Sequence, residues 1–452
     1  MLISGLTVLA AMSGMLLTGN NVFYGMAQAA MLVVAAAVIG SLTLLPALLA
    51  LLGDRVDWGQ LPFLSRLRRP AGQSRVWTAV LDRVLAHPAL TAAAAASLLI
   101  VLALPVLRLH TAEPGVSDLP QNTAALQTYN RIQQVFPGGP APAFVAVEAP
   151  DVTSPAMVAA GQAFERAALA TGQMNQPITF EVNPARTAAI IQVPLAGTGE
   201  DTVSVNALTT LRDKVIPATL GKVPGVRVAV TGLTAGTVDF NTQMGQRAPW
   251  IFAFVLLLAF VLLLISFRSL AIPVTAVILN LLSVGAAYGV IVALFQWGWG
   301  QSLFGFTSTH AVASWLPLFL FVVLFGLSMD YHVFILSRIR ESYDRTHDTD
   351  GAVVHGIKIS AGVVTAAAVI MVFVFLTFAT MSIVQLKEMG VGLAVAVLLD
   401  ATIVRAGLLP ATMKLLGPRN WYLPRWLQWL PEISSSTPPT AGQLPKQPVT
   451  VA

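Results

Sequence analysis

The chain has 452 residues, of which 56% are hydrophobic and only 10% charged, and its mean hydropathy is +0.74. Too few polar side chains remain to cover a water-soluble surface, so a set of soluble domains is excluded and a polytopic membrane protein is indicated. The formal net charge of +5 is spread over short connections between apolar runs, where basic residues act as topology signals and form no stripe for nucleic acid.

Crossing a hydrocarbon core of about 30 Å takes about 20 mostly apolar residues. Eight stretches are predicted to do so: residues 2–18, 27–52, 89–107, 248–267, 270–294, 314–337, 360–384 and 388–413. The first lacks a basic leading segment and a small-residue cleavage motif, so it reads as a span and not as a signal peptide. In chain order this gives two helices in residues 1–53, a basic linker at 54–88, one helix at 89–107, a polar domain at 108–247, a five-helix bundle at 248–415 and a tail at 416–452. The tail is rich in Ser, Thr, Pro and Gln from Ser434 onward and is expected to be partly disordered.

Residues 108–247 carry nine basic and ten acidic side chains. Strand-like runs (Ala143 to Val147, Ala189 to Val193, Val226 to Val230) alternate with helix-like ones (Thr123 to Val135, Ala156 to Ala170, Val203 to Val215), which predicts a small α+β or α/β domain. Residues 53–88 hold six arginines, and 338–359 and the tail from Lys414 hold four basic residues each, whereas the segments 19–26 and 295–313 hold no lysine, arginine or acid. Basic loops stay inside, so both termini are expected in the cytoplasm and 108–247 outside it.

Ten residues starting at Leu44, LLPALLALLG, recur from Leu408 as LLPATMKLLG, with seven identities at an offset of 364. Both copies close a span on the same side, as in transporters built from parallel duplicated halves. By that offset a partner for Asp330 would lie about 35 residues before Met1, so the chain reads as the later part of a duplicated transporter. Met1 would then be an internal start, or a separate chain would supply the first half.

Asp330 lies about two-thirds of the way through the sixth span, where an ionised carboxylate costs at least about 2–3 kcal/mol and usually marks an ion or proton path. A plain hydrogen bond to a neighbouring helix is the bland alternative. Tyr331 can bond such a carboxylate, and Phe334, one turn on, lies on the same face. Asp400 and Arg405 are a second intramembrane pair, but at i, i+5 they stand about 140° apart on an α-helix. They are therefore read as structural charges for packing and orientation. No histidine pair has zinc-ligand spacing, and the chain has no cysteine. With no phosphate-binding loop and no Ser-His-Asp pattern either, the residues point to no cofactor, no metal and no enzyme activity, and to an ion gradient as the energy source.

The run GLSMDYHVFILSRIRE, Gly326 to Glu341, resembles the signature of the mycobacterial membrane protein large (MMPL) transporters, a branch of the resistance–nodulation–division superfamily. Ser117-Asp118-Leu119-Pro120, Phe136-Pro137-Gly138-Gly139, Thr231-Gly232-Leu233-Thr234-Ala235 with Asp239, and Leu399 to Arg405 with Pro410-Ala411 are similar to further patterns of that family. The resemblance implies about eight of twelve transmembrane helices with one extracytoplasmic α+β porter-like domain, in the cell membrane. It also implies proton-driven export of lipid or other hydrophobic cargo, with membrane lipids as partners. Asp330 and Tyr331 match one of the family's two relay pairs, Phe334 the aromatic gate beside it, and Ser4 a relay serine. The first four helices, the first porter domain and the first Asp-Tyr pair have no counterpart, and His332 stands where an acid or amide is expected. A different class of reading is a truncated, non-transporting remnant or a scaffold whose outer domain binds lipid or an envelope partner.

Overall fold

The computed structural model describes residues 2–53, 75–112, 124–136, 141–199, 201–308 and 310–430. The linker 54–74, the Ser117-Asp118-Leu119-Pro120 motif, Pro137 to Pro140 and the tail from residue 431 lie outside the described residues, as does the side chain of Ser4. Among the described residues, seven helices are long and apolar enough to cross a membrane, with a shorter apolar helix at Gly5–Thr18. The protein is a polytopic α-helical membrane protein with a small sheet domain, and of the eight predicted spans the first is the short one.

The first two spans are α1 (Leu2–Ser13), which runs on as a 3-10 turn through Thr18, and α2 (Asn21–Leu42) with α3 (Leu44–Leu52). Asn20 starts α2 by accepting a hydrogen bond from the Val22 amide, as a helix cap should. The basic linker ends in an amphipathic helix, α4 (Arg75–Ala86), which buries Leu81 fully while Asp82 stays exposed. The span α5 (Pro88–Ala103) then leads through a 3-10 turn to β1 (Thr111–Ala112).

The sheet domain comprises α6 (Ala124–Val135), β2 (Ala143–Glu148), α7 (Pro155–Ala170), β3 (Thr179–Val182), β4 (Ala188–Val193), α8 (Thr202–Thr210) and β5 (Arg227–Gly232). Its sheet has the order β3-β4-β2-β5, every pair antiparallel, with Val145 opposite Ile191 on one side and Val230 on the other. Ala143, Val145 and Val147 are buried with Phe164 and Leu208, whereas Ala146 and Glu148 face outward, the alternation a one-sided sheet requires. Asp201 caps α8 through the Ser204 amide. Partial burial works against its carboxylate, but hydrogen bonds from Ser204 and Thr198 outweigh that and hold its pKa below the usual value.

The next span begins well before residue 248. Helix α9 (Leu233–Phe267) is continuous over 35 residues, about 52 Å at 1.5 Å per residue and longer than the hydrocarbon core. Hydropathy hid its first turns because Asp239, Asn241 and Gln243 are polar. The structure fixes them to the sheet domain: Arg212 donates to both Asp239 oxygens at 2.6 and 2.9 Å and to the Val230 carbonyl at 2.9 Å. Gly232 makes the strand-to-helix corner at φ 125°, where a Cβ would sit 2.6 Å from the Pro142 oxygen.

The remaining bundle is α10 (Ala271–Ile291), β6 (Val312–Ala313), α11 (Leu316–Thr346), α12 (Thr349–Phe378), α13 (Val384–Leu399) and α14 (Leu409–Leu416). β6 pairs in parallel with β1, joining the entry of the sheet domain to the start of α11. Two buried charges hold this corner: Lys387 donates to the Phe304 carbonyl, and Glu388 accepts from the Ala313 amide at 3.2 Å. Small residues let α5 and α10 touch backbone to backbone, for a Cβ on Gly289 would fall 1.8 Å from the Leu102 oxygen. Gly289→Ala is therefore expected to cost about 1–3 kcal/mol by overpacking, read as a lower unfolding midpoint of the chain in micelles.

The sequence repeat has a conformational counterpart. Gly53 and Gly417, 364 residues apart, end α3 and α14 at φ 48°, ψ −130° and φ 52°, ψ −129°, and each donates its amide to the carbonyl four residues earlier. The two copies differ upstream. Thr43 interrupts the first helix, whereas Asp400–Leu408 continue the second as a π-helix.

Candidate functional site: a buried ion pair in the helix bundle

The π-helix decides the geometry. On an α-helix Asp400 and Arg405 would point apart, but winding with i→i+5 bonds brings residues five apart onto one face. Arg405 Nη2 donates to Asp400 Oδ2 in a direct salt bridge, and the two residues are only 2% and 6% exposed. The expected separation of about 140° is thus corrected to a contact. A bridge at this burial replaces water only if further hydrogen bonds support it. Ser328 on α11 supplies them: its hydroxyl donates to Asp400 Oδ2 at 3.0 Å, and its carbonyl accepts from Arg405 Nη2 at 3.3 Å.

Tyr331 and His332 complete the cluster. The Arg405 guanidinium carbon lies 4.3 Å from the Tyr331 ring centroid, a cation–π contact. The Tyr331 hydroxyl donates to the Met371 sulfur on α12 at 3.1 Å. His332 is fully buried, with Nδ1 3.0 Å from the Ser328 carbonyl oxygen and 3.3 Å from its hydroxyl. Asp330, next to Tyr331, is half-buried on an adjoining face of α11, and Phe334 on that face is 37% exposed. Arg338 lies over the Phe334 ring at 6.0 Å.

Of the residues singled out from the sequence, the structure therefore gathers Tyr331, Asp400 and Arg405 into one cluster. It sets Asp330 beside them and puts Phe334 at a more open point of α11. Ser4 belongs to α1, and its side chain is not described. Sequence reasoning missed Ser328, one turn before His332, and Asn280 on α10, which is 1% exposed. An amide inside an apolar span was the available signal for Asn280. A narrow cavity at the junction is lined by Asn280, Ser283, Ser328, Tyr331, Asp400 and Arg405 and offers about 10 Å³ to water-sized centres, close to the space for one water molecule. No group of three His, Cys, Asp or Glu side chains that could hold a metal occurs among the described residues.

The match to known proteins covers nearly all of this architecture. The model of the MMPL family matches residues 1–91 and 117–435. A protein named "Mycolic acid-containing lipids exporter MmpL11" from Mycolicibacterium smegmatis is 36% identical over 99% of this chain and 46% of its own length. The "Heme uptake protein MmpL11" of Mycobacterium tuberculosis strain H37Rv is 35% identical over 96% of the chain and 45% of its own length. The "Trehalose monomycolate exporter MmpL3" of Mycobacterium tuberculosis strain CDC 1551 is 28% identical over 94% of the chain and 48% of its own length. The chain spans about half the length of these relatives. Its family-model match and its buried Asp-Arg bridge beside the Asp330-Tyr331 pair belong to one bundle, and the chain is a member of the MMPL family.

Proposed function

We propose that this chain acts in proton-driven export of lipid or another hydrophobic molecule across the cytoplasmic membrane, with both termini in the cytoplasm and the sheet domain outside. The observation that carries the reading is the set of charges in the apolar bundle: Asp330 next to Tyr331, whose ring stacks on an Arg405 already paired with Asp400. Charges at such depth are costly and mark proton paths in pumps and transporters. In this reading Asp330 takes up the proton and Tyr331 links its charge state to Arg405. Phe334 acts as the apolar gate, Ser4 makes a secondary relay contact, and Asp400 with Arg405 hold the bundle's charge balance. The names of two relatives, which describe exporters of mycolic acid-containing lipids and trehalose monomycolate, support lipid as cargo.

The long helix α9 gives the proposed route outward. It is tied to the sheet domain by Arg212–Asp239 and runs unbroken into the bundle, so a tilt of the bundle moves the outer domain as a lever. The test uses membrane vesicles containing the protein and a labelled mycolate-type lipid. Transport should follow an imposed pH gradient and fall to the level of protein-free vesicles when a protonophore collapses it. Transport that continues unchanged after collapse refutes the proton-driven reading.

A further inference from the structure

The chain does not leave the bundle at the end of α14. Residues 417–430 lie across the turn between α9 and α10 and are pinned there. The buried Asn420 amide donates to the Met413 and Gly417 carbonyls at 2.6 and 2.7 Å, the Ser269 hydroxyl donates to the Asn420 carbonyl, and the Leu270 amide donates to the Tyr422 carbonyl at 3.1 Å. Leu427 and Leu430 are buried against Leu264. Trp421 stacks on Tyr343 of α11 at 4.5 Å, and Arg340 lies over its ring at 4.9 Å, so the segment sits where the basic residues of α11 gather. Arg419, Tyr422, Arg425, Trp426 and Trp429 stay exposed. Tryptophan and tyrosine concentrate at the level of the lipid headgroups.

Beside this segment is a groove of about 500 Å³ whose walls include Leu270, Val274, Thr275, Leu416 and Tyr422, with Arg419 as its one charged residue. Val274 lies in the first turns of a membrane-length span, so the groove runs from hydrocarbon to the headgroup layer. Arg338, Arg340, Arg345 and Lys414 at the same end of the bundle are each paired with an acid. Arg419 and Arg425 have no acidic partner within salt-bridge distance among the described residues. The occupant that fits is apolar along the groove and anionic at Arg419. We propose that the groove binds an anionic phospholipid of the surrounding bilayer, with one acyl chain along α10 and its phosphate on the Arg419 guanidinium. A guanidinium matches phosphate geometry with two parallel hydrogen bonds, and basic pockets between membrane helices take anionic headgroups. A free anion would leave the apolar walls unfilled, and a zwitterionic lipid would set its own cation beside Arg419. The site does not depend on how transport is energised.

Native mass spectrometry of the whole chain, released from micelles to which dioleoyl phosphatidylglycerol or dioleoyl phosphatidylcholine has been added, gives the dissociation constant of the first bound lipid. Phosphatidylglycerol should bind about fivefold more tightly than phosphatidylcholine, the effect of about 1 kcal/mol for one basic residue near the membrane surface. Arg419→Gln should weaken phosphatidylglycerol by about fivefold and leave phosphatidylcholine within about twofold of native, which also shows that the chain is folded. Arg425→Gln removes the same charge from the same segment outside the groove and should leave both lipids within about twofold of native. Val274→Trp fills the groove from an exposed position and should weaken phosphatidylglycerol by about tenfold with Arg419 intact, the loss from about two displaced methylenes. Equal affinity for the two lipids in the native chain, or native affinity in Arg419→Gln or Val274→Trp, overturns the proposal. So does an Arg425→Gln loss as large as that of Arg419→Gln, which would assign the preference to diffuse surface charge.

Discussion

Arg405→Leu should destabilise the protein by about 3–5 kcal/mol, the cost of stripping the partner from a buried charge. Asp400 is 6% exposed and would keep only the Ser328 hydroxyl as a partner on Oδ2. The double variant Asp400→Asn/Arg405→Leu removes the stranded charge and should return to within about 1–2 kcal/mol of the native protein, because a buried pair replaced as a unit is close to neutral. The remainder is the lost contact with the Tyr331 ring and the Ser328 carbonyl, of which the cation–π part is about 1–2 kcal/mol. The check is the denaturant midpoint of all three variants in mixed micelles. If single and double variants are equally destabilised, the energy resides in the contacts of Arg405 with α11 and not in the ion pair.

If the proposed proton-driven reading holds, Asp330→Asn should abolish pH-driven transport, a fall on the order of 100-fold or more, the usual scale for removing a proton-transferring group. The substitution is nearly isosteric and keeps hydrogen-bonding capacity, so folding should be unaffected, whereas the side chain can no longer change charge with pH. Residual flux should therefore be flat across the pH range in which the native protein responds. Tyr331→Phe separates the neighbouring roles. It keeps the ring beneath Arg405 and removes only the hydroxyl bond to Met371, so its effect should be about fivefold, corresponding to about 1 kcal/mol for a hydrogen bond. A steep pH dependence persisting in Asp330→Asn would move the proton site to another carboxylate, with Asp400 the first to substitute.

Much of the fold was legible because the strongest terms are periodic in sequence. Runs such as residues 360–384 can be stable only as helices in lipid, where every backbone polar group must be bonded internally. The alternation in Ala143 to Val147 marks a strand with one buried face. Those two rules place the membrane helices and three of the four strands of the larger sheet. The fourth, β3 (Thr179–Val182), is an edge strand whose polar–apolar alternation covers only four positions, all of them exposed, so no buried face marked it. Asp330 and Tyr331 were legible for a different reason, since a charge inside an apolar span stands out by its cost alone.

Sequence by itself determined the membrane class, the presence of a sheet domain, the repeat and which charges fall within apolar runs, because hydropathy and cost depend only on which residues occur where. Only the tertiary structure decided which of those charges meet. The π-helical winding of Asp400–Leu408 turned a spacing that should separate Asp400 from Arg405 into a salt bridge, and packing on α11 and α10 supplied Ser328 and Asn280 as the pair's surroundings. Helical pitch and side-chain packing are settled by contacts between segments far apart in the chain, and a period read along one segment cannot record them.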